Sequence, residues 1–438
     1  MSNASHLTKV TSSNTYVGTR GSTCADLFAR TALVTAMSMA GVANAQTWTG
    51  ATDTDWNTAS NWTGGTPAAA DTADINTAAG NQPTLGSVTP GLTATNVSAG
   101  TLTISAGGEL VSTDVNISGS GAIENAGDIT GAVSVTDTGI LTNNGGSLNG
   151  SLSLNDSGSF RTTSSGTIGN LTIGNGAAAT ISAATGTTLT QTGTYNSGTS
   201  GSLTFGSATD TGRVVMRANG GVYWPSFSIS VAGGTLAAAG SQFAGVLSNI
   251  SSTSVAAGAT LDIGSIDTTV QRLGGAGTVT NSSATDRVLT LKNTSTFAGA
   301  ISDGATNNLS LVRIGAGTTT LTGASGYTGS TTVAEGTLAL GTGSSLASTS
   351  VTIDAGAELS TNGEHLADGT TLSNDGQFTV TGAETIGEIN GTGAVTLTDP
   401  GVLTIAGAGT STISNTFNGT GGLTFSNASG AHTLSGTN

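Results

Sequence analysis

The sequence predicts an all-β chain, an elongated parallel β-helix (solenoid) built from coils of roughly 19 residues. Three observations predict it. Aliphatic residues recur as Φ-x-Φ pairs, where Φ is an aliphatic or aromatic residue, and such pairs put both side chains on one face of a strand. The pairs return at a near-constant spacing, separated by Gly-, Asn- and Asp-rich corners. The composition is that of stacked strands: 68 glycines and only 5 prolines in 438 residues, with 36% hydrophobic, 4% aromatic and 8% charged residues. A disordered Gly/Ser linker would not carry that ordered aliphatic content.

Taken in chain order, residues 1–45 read as an export signal. Lys9, Arg20 and Arg30 make a positive leading region, Thr31 to Val42 is a short apolar run, and Ala43-Asn44-Ala45 is a small-x-small cleavage site. Cleavage before Gln46 removes Cys24, the only cysteine, so the mature chain has neither disulfides nor thiol chemistry. It leaves 7 basic and 24 acidic residues, a net charge of −17. That balance argues against nucleic acid, which needs a basic surface for its phosphates, and against charge-driven binding to an anionic membrane. No mature segment is apolar for long enough to be a transmembrane helix.

Residues 46–95 hold Trp48, Trp56 and Trp62, three of the four tryptophans, followed by Asp71 and Asp74. A sugar-stacking site would use such rings. A cap over the first open coil would use them too, and is preferred, because a solenoid needs its ends covered.

The repeat itself is clearest from Val115. Val115-Asn-Ile117, Val133-Ser-Val135, Leu152-Ser-Leu154 and Leu171-Thr-Ile173 begin 18, 19 and 19 residues apart. In the first three, a polar turn and then Gly121-Ala-Ile123, Gly139-Ile-Leu141 or Gly158-Ser-Phe160 follow. One unit cannot bury its own apolar side, whereas stacked units bury a continuous ladder. Residues 96–438 allow on the order of 18 coils, roughly 85 Å at about 4.8 Å per strand. An array of immunoglobulin-like sandwiches is disfavoured, since Trp224 is the only tryptophan after residue 95.

Residues 311–340 carry Gly315-x-Gly317-Thr318, Leu321-Thr-Gly323, Tyr327-Thr-Gly329, Thr332-Val333 and Glu335-Gly336-Thr337-Leu338. They resemble the passenger-associated transport repeat, also called the autotransporter-associated β-strand repeat. Ser325-Gly326-Tyr327 stands where that family usually has Asn-Thr-Tyr. Leu273–Asn281 and Thr296–Gly304 resemble the sections that precede the repeat, and a second copy begins at Phe417, with His432–Leu434 aligned on Thr319–Leu321. The resemblance implies an autotransporter passenger whose β-helical coils help the chain cross the outer membrane through a translocator barrel. That barrel is expected to be absent from this chain: the final 100 residues hold no Tyr or Trp for its aromatic girdles. The second copy is expected to be cut off at the C-terminus, as in a fragment or a truncated product.

The search for chemistry yields little. Asn155-Asp156-Ser157-Gly158 has the Asp-Ser-Gly of a serine nucleophile, but Asp137-Thr-Gly139 occupies the same place one repeat earlier, so it reads as a turn. No Gly-x-Ser-x-Gly elbow, His-Glu-x-x-His or phosphate loop is present, and neither catalytic residues, a cofactor nor a metal is predicted. Arg213, Arg217, Tyr223, Trp224 and Phe227 form the one chemically dense patch. A β-helical glycan lyase or hydrolase would use such residues, and so would a loop packed on its own aromatics. The expectation is an exported passenger, displayed at the cell surface or released, a structural and adhesive stalk meeting glycans or other cell surfaces. The glycan-active enzyme and a non-functional remnant are the alternatives.

Overall fold

A computed structural model of the protein describes residues 43–78, 80–220, 225–426 and 431–436. Residues 1–42, and with them nearly all of the predicted export signal, lie outside these, as do Tyr223 and Trp224. The described chain is an all-β solenoid of about 17 parallel stacked turns with ~21 residues per turn. At about 4.8 Å per strand the stack is roughly 80 Å long.

Its strands pair parallel, each with the equivalent strand one turn away. One sheet of 17 strands runs open from Thr84–Leu85 to Thr416–Gly419. The second and third sides are built from shorter sheets of nine, seven and seven strands and from smaller sheets of two or three. The register is the one the repeats specify. Val115 pairs with Val133, Val133 with Leu152 and Leu152 with Leu171, while Ile123 pairs with Leu141 and Leu141 with Phe160. A one-residue slip would turn every Φ outward, so the apolar pattern holds the register.

The coils average longer than the predicted 19 residues because some turns carry extra residues between their paired strands. Leu171 pairs with Tyr195 after a step of 24 residues and Leu203 with Ile229 after 26, whereas Leu321 pairs with Leu340 after 19. A ladder strand is held in register by its neighbours, but a corner can bulge toward solvent and take extra residues. In the turn after Phe205 the extra residues fold back, so that Asp210 accepts a bidentate pair of hydrogen bonds from Arg161 at 2.8–3.1 Å.

Inside, a column of single side chains runs along the long sheet: Ile123, Leu141, Phe160, Ile181, Phe205, Val231 and Val255 stack in successive turns. All are buried. Asn125 and Asn143 continue the stack at a corner, where the Asn125 amide donates to Asn143 Oδ1 at 2.9 Å.

At the N-terminal end Trp48, Trp56 and Trp62 are buried and meet edge to face, with centroids 5.1 and 4.7 Å apart. Trp48 Nε1 donates to Asn81 O and Trp62 Nε1 to Trp56 O, both at 2.8 Å. At the other end His432–Leu434 pairs with Ser411–Ile413, outside the long sheet that holds Thr318–Leu321. The sequence alignment of those two segments therefore does not match their positions in the coil.

One element departs from the ladder. Helix α1, Ser241–Asn249, stands on the third side between the strands Tyr195–Ser197 and Thr268–Val270. It buries Phe243, Ala244, Val246 and Leu247, the apolar stripe expected of a helix laid on a core, and Phe243 meets Tyr195 edge to face at 6.0 Å. No helix among the described residues is long and apolar enough to cross a membrane.

Candidate functional site

The best-organised polar structure lies in the turn that begins at Leu309. The strand Leu309–Ile314 points Leu309 and Leu311 inward, and in the next inward position stands Arg313, fully buried. A lone cation inside a solenoid needs partners, and the backbone supplies them. Its guanidinium donates to the carbonyls of Gly315 at 3.0 Å, Ala316 at 3.3 Å, Gly317 at 2.7 Å and Thr337 at 3.3 Å. The corner can curl around the guanidinium because Gly315 and Gly317 adopt φ of +79° and +91°, where a side chain is strained. Burial lowers the pKa of Arg313 from its usual value, and the charge of Glu335 opposes that shift. Glu335 also closes the corner from outside, accepting the Gly315 N–H at 2.7 Å.

The rest of the turn is tied just as closely. Asp303 accepts the N–H of Leu309 at 2.6 Å, the N–H of Thr328 at 2.9 Å and the Thr328 hydroxyl at 2.7 Å. Tyr327 is buried with its hydroxyl 2.7 Å from Thr331 Oγ1, and burial pushes its phenol pKa up. Gly323 packs so tightly that a Cβ there would lie 2.2 Å from Gly299 O. Gly323→Ala is accordingly expected to destabilise the chain by about 1–3 kcal/mol, read as a lower denaturation midpoint. An unchanged midpoint would mean that the neighbouring coil gives way freely.

The family model of the passenger-associated transport repeat matches residues 311–340. This turn is a passenger-associated transport repeat. The repeat and the β-solenoid around it fit an autotransporter passenger domain. No curated protein and no solved structure matches the chain. In the transport repeat, the motif positions now have physical roles. The paired glycines and Glu335 make the Arg313 cradle, Leu321 and Leu338 are buried, and Tyr327-Thr328 ties the corner to the preceding turn through Asp303.

Of the dense patch predicted upstream of the transport repeat, the described residues Arg213, Arg217 and Phe227 have different surroundings. Arg213 lies on the strand Arg213–Met216 and donates to Asp262 Oδ2 at 2.6 Å, two turns along. Burial tends to raise the Asp262 pKa, but the hydroxyl of Ser282, the Arg213 guanidinium and the N–H groups of Gly264 and Ser282 together hold it below the usual carboxylate value. Arg217 is exposed. Phe227 is fully buried in the long sheet, where it packs in the core and offers no ring to a ligand. Tyr223 and Trp224 lie outside the described residues. The Asp-Ser-Gly segment is a turn: Asp156 and Asp137 share a positive φ, 50° and 53°, one repeat apart.

A second buried polar cluster escaped the sequence reading. Ser344, Asn362, His365 and Glu384 come together on the turns after the transport repeat. His365 Nδ1 is 2.8 Å from Ser344 O and 3.2 Å from Ser344 Oγ, and Nε2 is 2.6 Å from Asn362 Oδ1. A Ser/His/Glu set suggests nucleophilic catalysis, but the geometry differs. The Glu384 carboxylate accepts the backbone N–H groups of His365 and Leu366, at 3.0–3.3 Å, and not the imidazole. It therefore does not orient the ring as a hydrolytic triad requires. Ser344, His365 and Glu384 are each at most 5% exposed, so no substrate reaches them. Burial, with the charge of Glu364 added to it, pushes the Glu384 carboxyl up to about 8 against the backbone bonds that lower it. Among the described residues no group of three or more His, Cys, Asp or Glu could hold a metal ion.

Proposed function

We propose that this chain is the stalk of an autotransporter passenger, exported behind residues 1–45 and carried through an outer-membrane translocator barrel to the cell surface. The observation that carries the reading is the transport repeat at residues 311–340, seated in register in a long parallel solenoid. In this reading each coil that folds outside adds its buried ladder and resists return, so folding biases the transport. The tryptophan cluster of residues 46–95 serves as the cap of the first coil.

The stalk is adhesive rather than enzymatic. Outward positions of the coils are Thr, Ser and Asn columns, as at Ser202, Ser228 and Ser252 in paired strands. Such columns make many weak contacts and suit avidity better than one tight site. The test is surface display of the chain joined to a translocator barrel. Leu338→Ala opens a cavity in the transport repeat and is expected to slow the appearance of folded chain at the surface by about several-fold. Unchanged display would sink the transport role. Cells displaying the chain should also adhere to glycan-coated surfaces better than cells with the barrel alone, and equal adhesion would sink the adhesive role.

A further inference from the structure

Beyond residue 45 the positive charge is confined to one band. Every Lys and Arg after residue 30 falls between Arg161 and Arg313. That stretch holds seven of them against five acids, while the other residues after 45 hold none against nineteen acids. Most of these cations are committed. Arg161 and Arg213 are paired with Asp210 and Asp262, Arg287 donates to the carbonyls of Gly264 and Ser265, and Arg313 is locked in its cradle. Arg217, Arg272 and Lys292 remain, without a carboxylate partner among the described residues.

Arg272 stands where helix α1 interrupts the ladder. It lines a cleft of ≈220 Å³ with Asn249, Gln271, Asn293, Pro225 and Ile250. The polar groups there are partly spent on one another. The Gln271 amide donates to Ser248 O and its Oε1 accepts from Asn293 Nδ2, while Asn249 Nδ2 donates to Gly245 O. Among the described residues, what stays uncommitted is the Arg272 guanidinium and the side-chain carbonyl oxygens of Asn249 and Asn293. The first is a planar donor that matches a carboxylate, and the other two accept from hydroxyls. Pro225, which is exposed, supplies apolar surface for the C–H face of a ring. The volume lies below the about 300–1,000 Å³ of pockets that enclose drug-sized ligands, so it suits one ring-sized group.

We propose that this cleft binds a single uronate unit of an acidic polysaccharide, with its carboxylate on Arg272 and its hydroxyls on Asn249 and Asn293. The assignment rests on the adhesive reading and gives it a ligand class. A cationic site on an otherwise acidic stalk selects for position: anionic chains are repelled by the coils on either side and held only here. One such cleft per chain binds weakly, and many displayed chains bind a polymer by avidity.

Calorimetric titration of the full chain at low salt tests this with galacturonate, galactose and oligogalacturonate. Galacturonate should bind at least about tenfold tighter than galactose, and Arg272→Gln should erase that preference. Asn249→Ala should weaken both sugars. Arg217→Gln, an exposed and unpaired arginine outside the cleft, should leave binding unchanged. The proposal is overturned if the two sugars bind equally, if neither binds, if Arg272→Gln binds as wild type, or if Arg217→Gln loses as much. Oligogalacturonate binding without galacturonate binding would overturn the single-unit site. If purified chain binds galacturonate while displayed chain fails to adhere to a polygalacturonate surface, the adhesive reading falls and the cleft stands. If displayed Arg272→Gln adheres as wild type, the cleft falls and the adhesive reading stands.

Discussion

Replacing Arg313 with alanine is expected to destabilise the transport-repeat coil by about 2–5 kcal/mol, the range for truncating a large buried side chain to alanine. The guanidinium serves four carbonyls, of Gly315, Ala316, Gly317 and Thr337, in a place sealed from water. Alanine takes one donor from each of those oxygens, of which Gly317 O keeps the Thr337 N–H at 2.9 Å, and opens a void beside them. Lysine keeps the charge but offers it from a point, with three donors where a planar fork now reaches around a corner, so Arg313→Lys should lie between the two. Arg313→Met keeps most of the stem and removes every donor. In a solenoid the damage is local before it is global, so hydrogen exchange is the sharper readout. The amides of Thr318–Leu321 and Thr337–Leu340 should lose protection first. Arg313→Met with wild-type protection in both strands would show that the carbonyls are satisfied without the guanidinium. The same variants connect structure to transport. If folding outside the membrane drives export, the order of display rates should follow wild type, lysine, methionine and alanine.

The ladder was legible in the sequence because its physics is periodic. Val115, Val133, Leu152 and Leu171 could be aligned by eye, and the structure pairs them in that register. The transport repeat was legible for a different reason: its glycines sit where a side chain would be strained or would clash, Tyr327 is a buried ring bonded to Thr331, and Glu335 closes the Arg313 corner. The breaks in periodicity were not legible. Helix α1 occupies one irregular coil, and Ser-Gln-Phe-Ala-Gly-Val-Leu-Ser-Asn is too short to outweigh the surrounding strand pattern. Phe227 reads in the sequence as part of the Arg213–Trp224 patch, yet Ser226-Phe-Ser-Ile-Ser-Val231 is an alternating strand whose apolar side faces the core. Arg313 and Glu384 were missed because charges are assumed to face water. The signal was present in both cases. Arg313 follows Leu309 and Leu311 at the strand period, and Glu384 stands in register with Leu403, with Ile386 beside Ile405. A charge in a Φ position of such a ladder points inward unless the register slips.

Glu384 then makes the chain less stable as pH rises, by on the order of 5 kcal/mol between pH about 4.5 and about 8. The sign follows from the direction of the shift. In the unfolded chain the carboxyl titrates near 4.5, and in the folded chain near 8. Between those values the folded state holds a proton that the unfolded state has released, so each rise in pH favours unfolding. Below 4.5 both states are protonated and the contribution is fully present; above 8 it is lost. Asp210 and Asp262 act oppositely, since their partners hold them below 3.8, and their contribution is lost only as pH falls through that lower range. The two windows do not overlap, which makes Glu384 separable by substitution. Glu384→Gln keeps an oxygen to accept the N–H groups of His365 and Leu366 and carries no charge at any pH. Its denaturation midpoint should match wild type near pH 4.5 and exceed it progressively toward pH 8.5, where the wild-type carboxylate is ionised inside the coil without a cation beside it. Parallel pH profiles for the two proteins would show that water or a neighbouring group already solvates the charge. Exchange protection of the strands Ala383–Ile386 and Val402–Ile405 should fall in wild type over the same window, because an ionised Glu384 must pull its strand away from Leu403 to reach solvent.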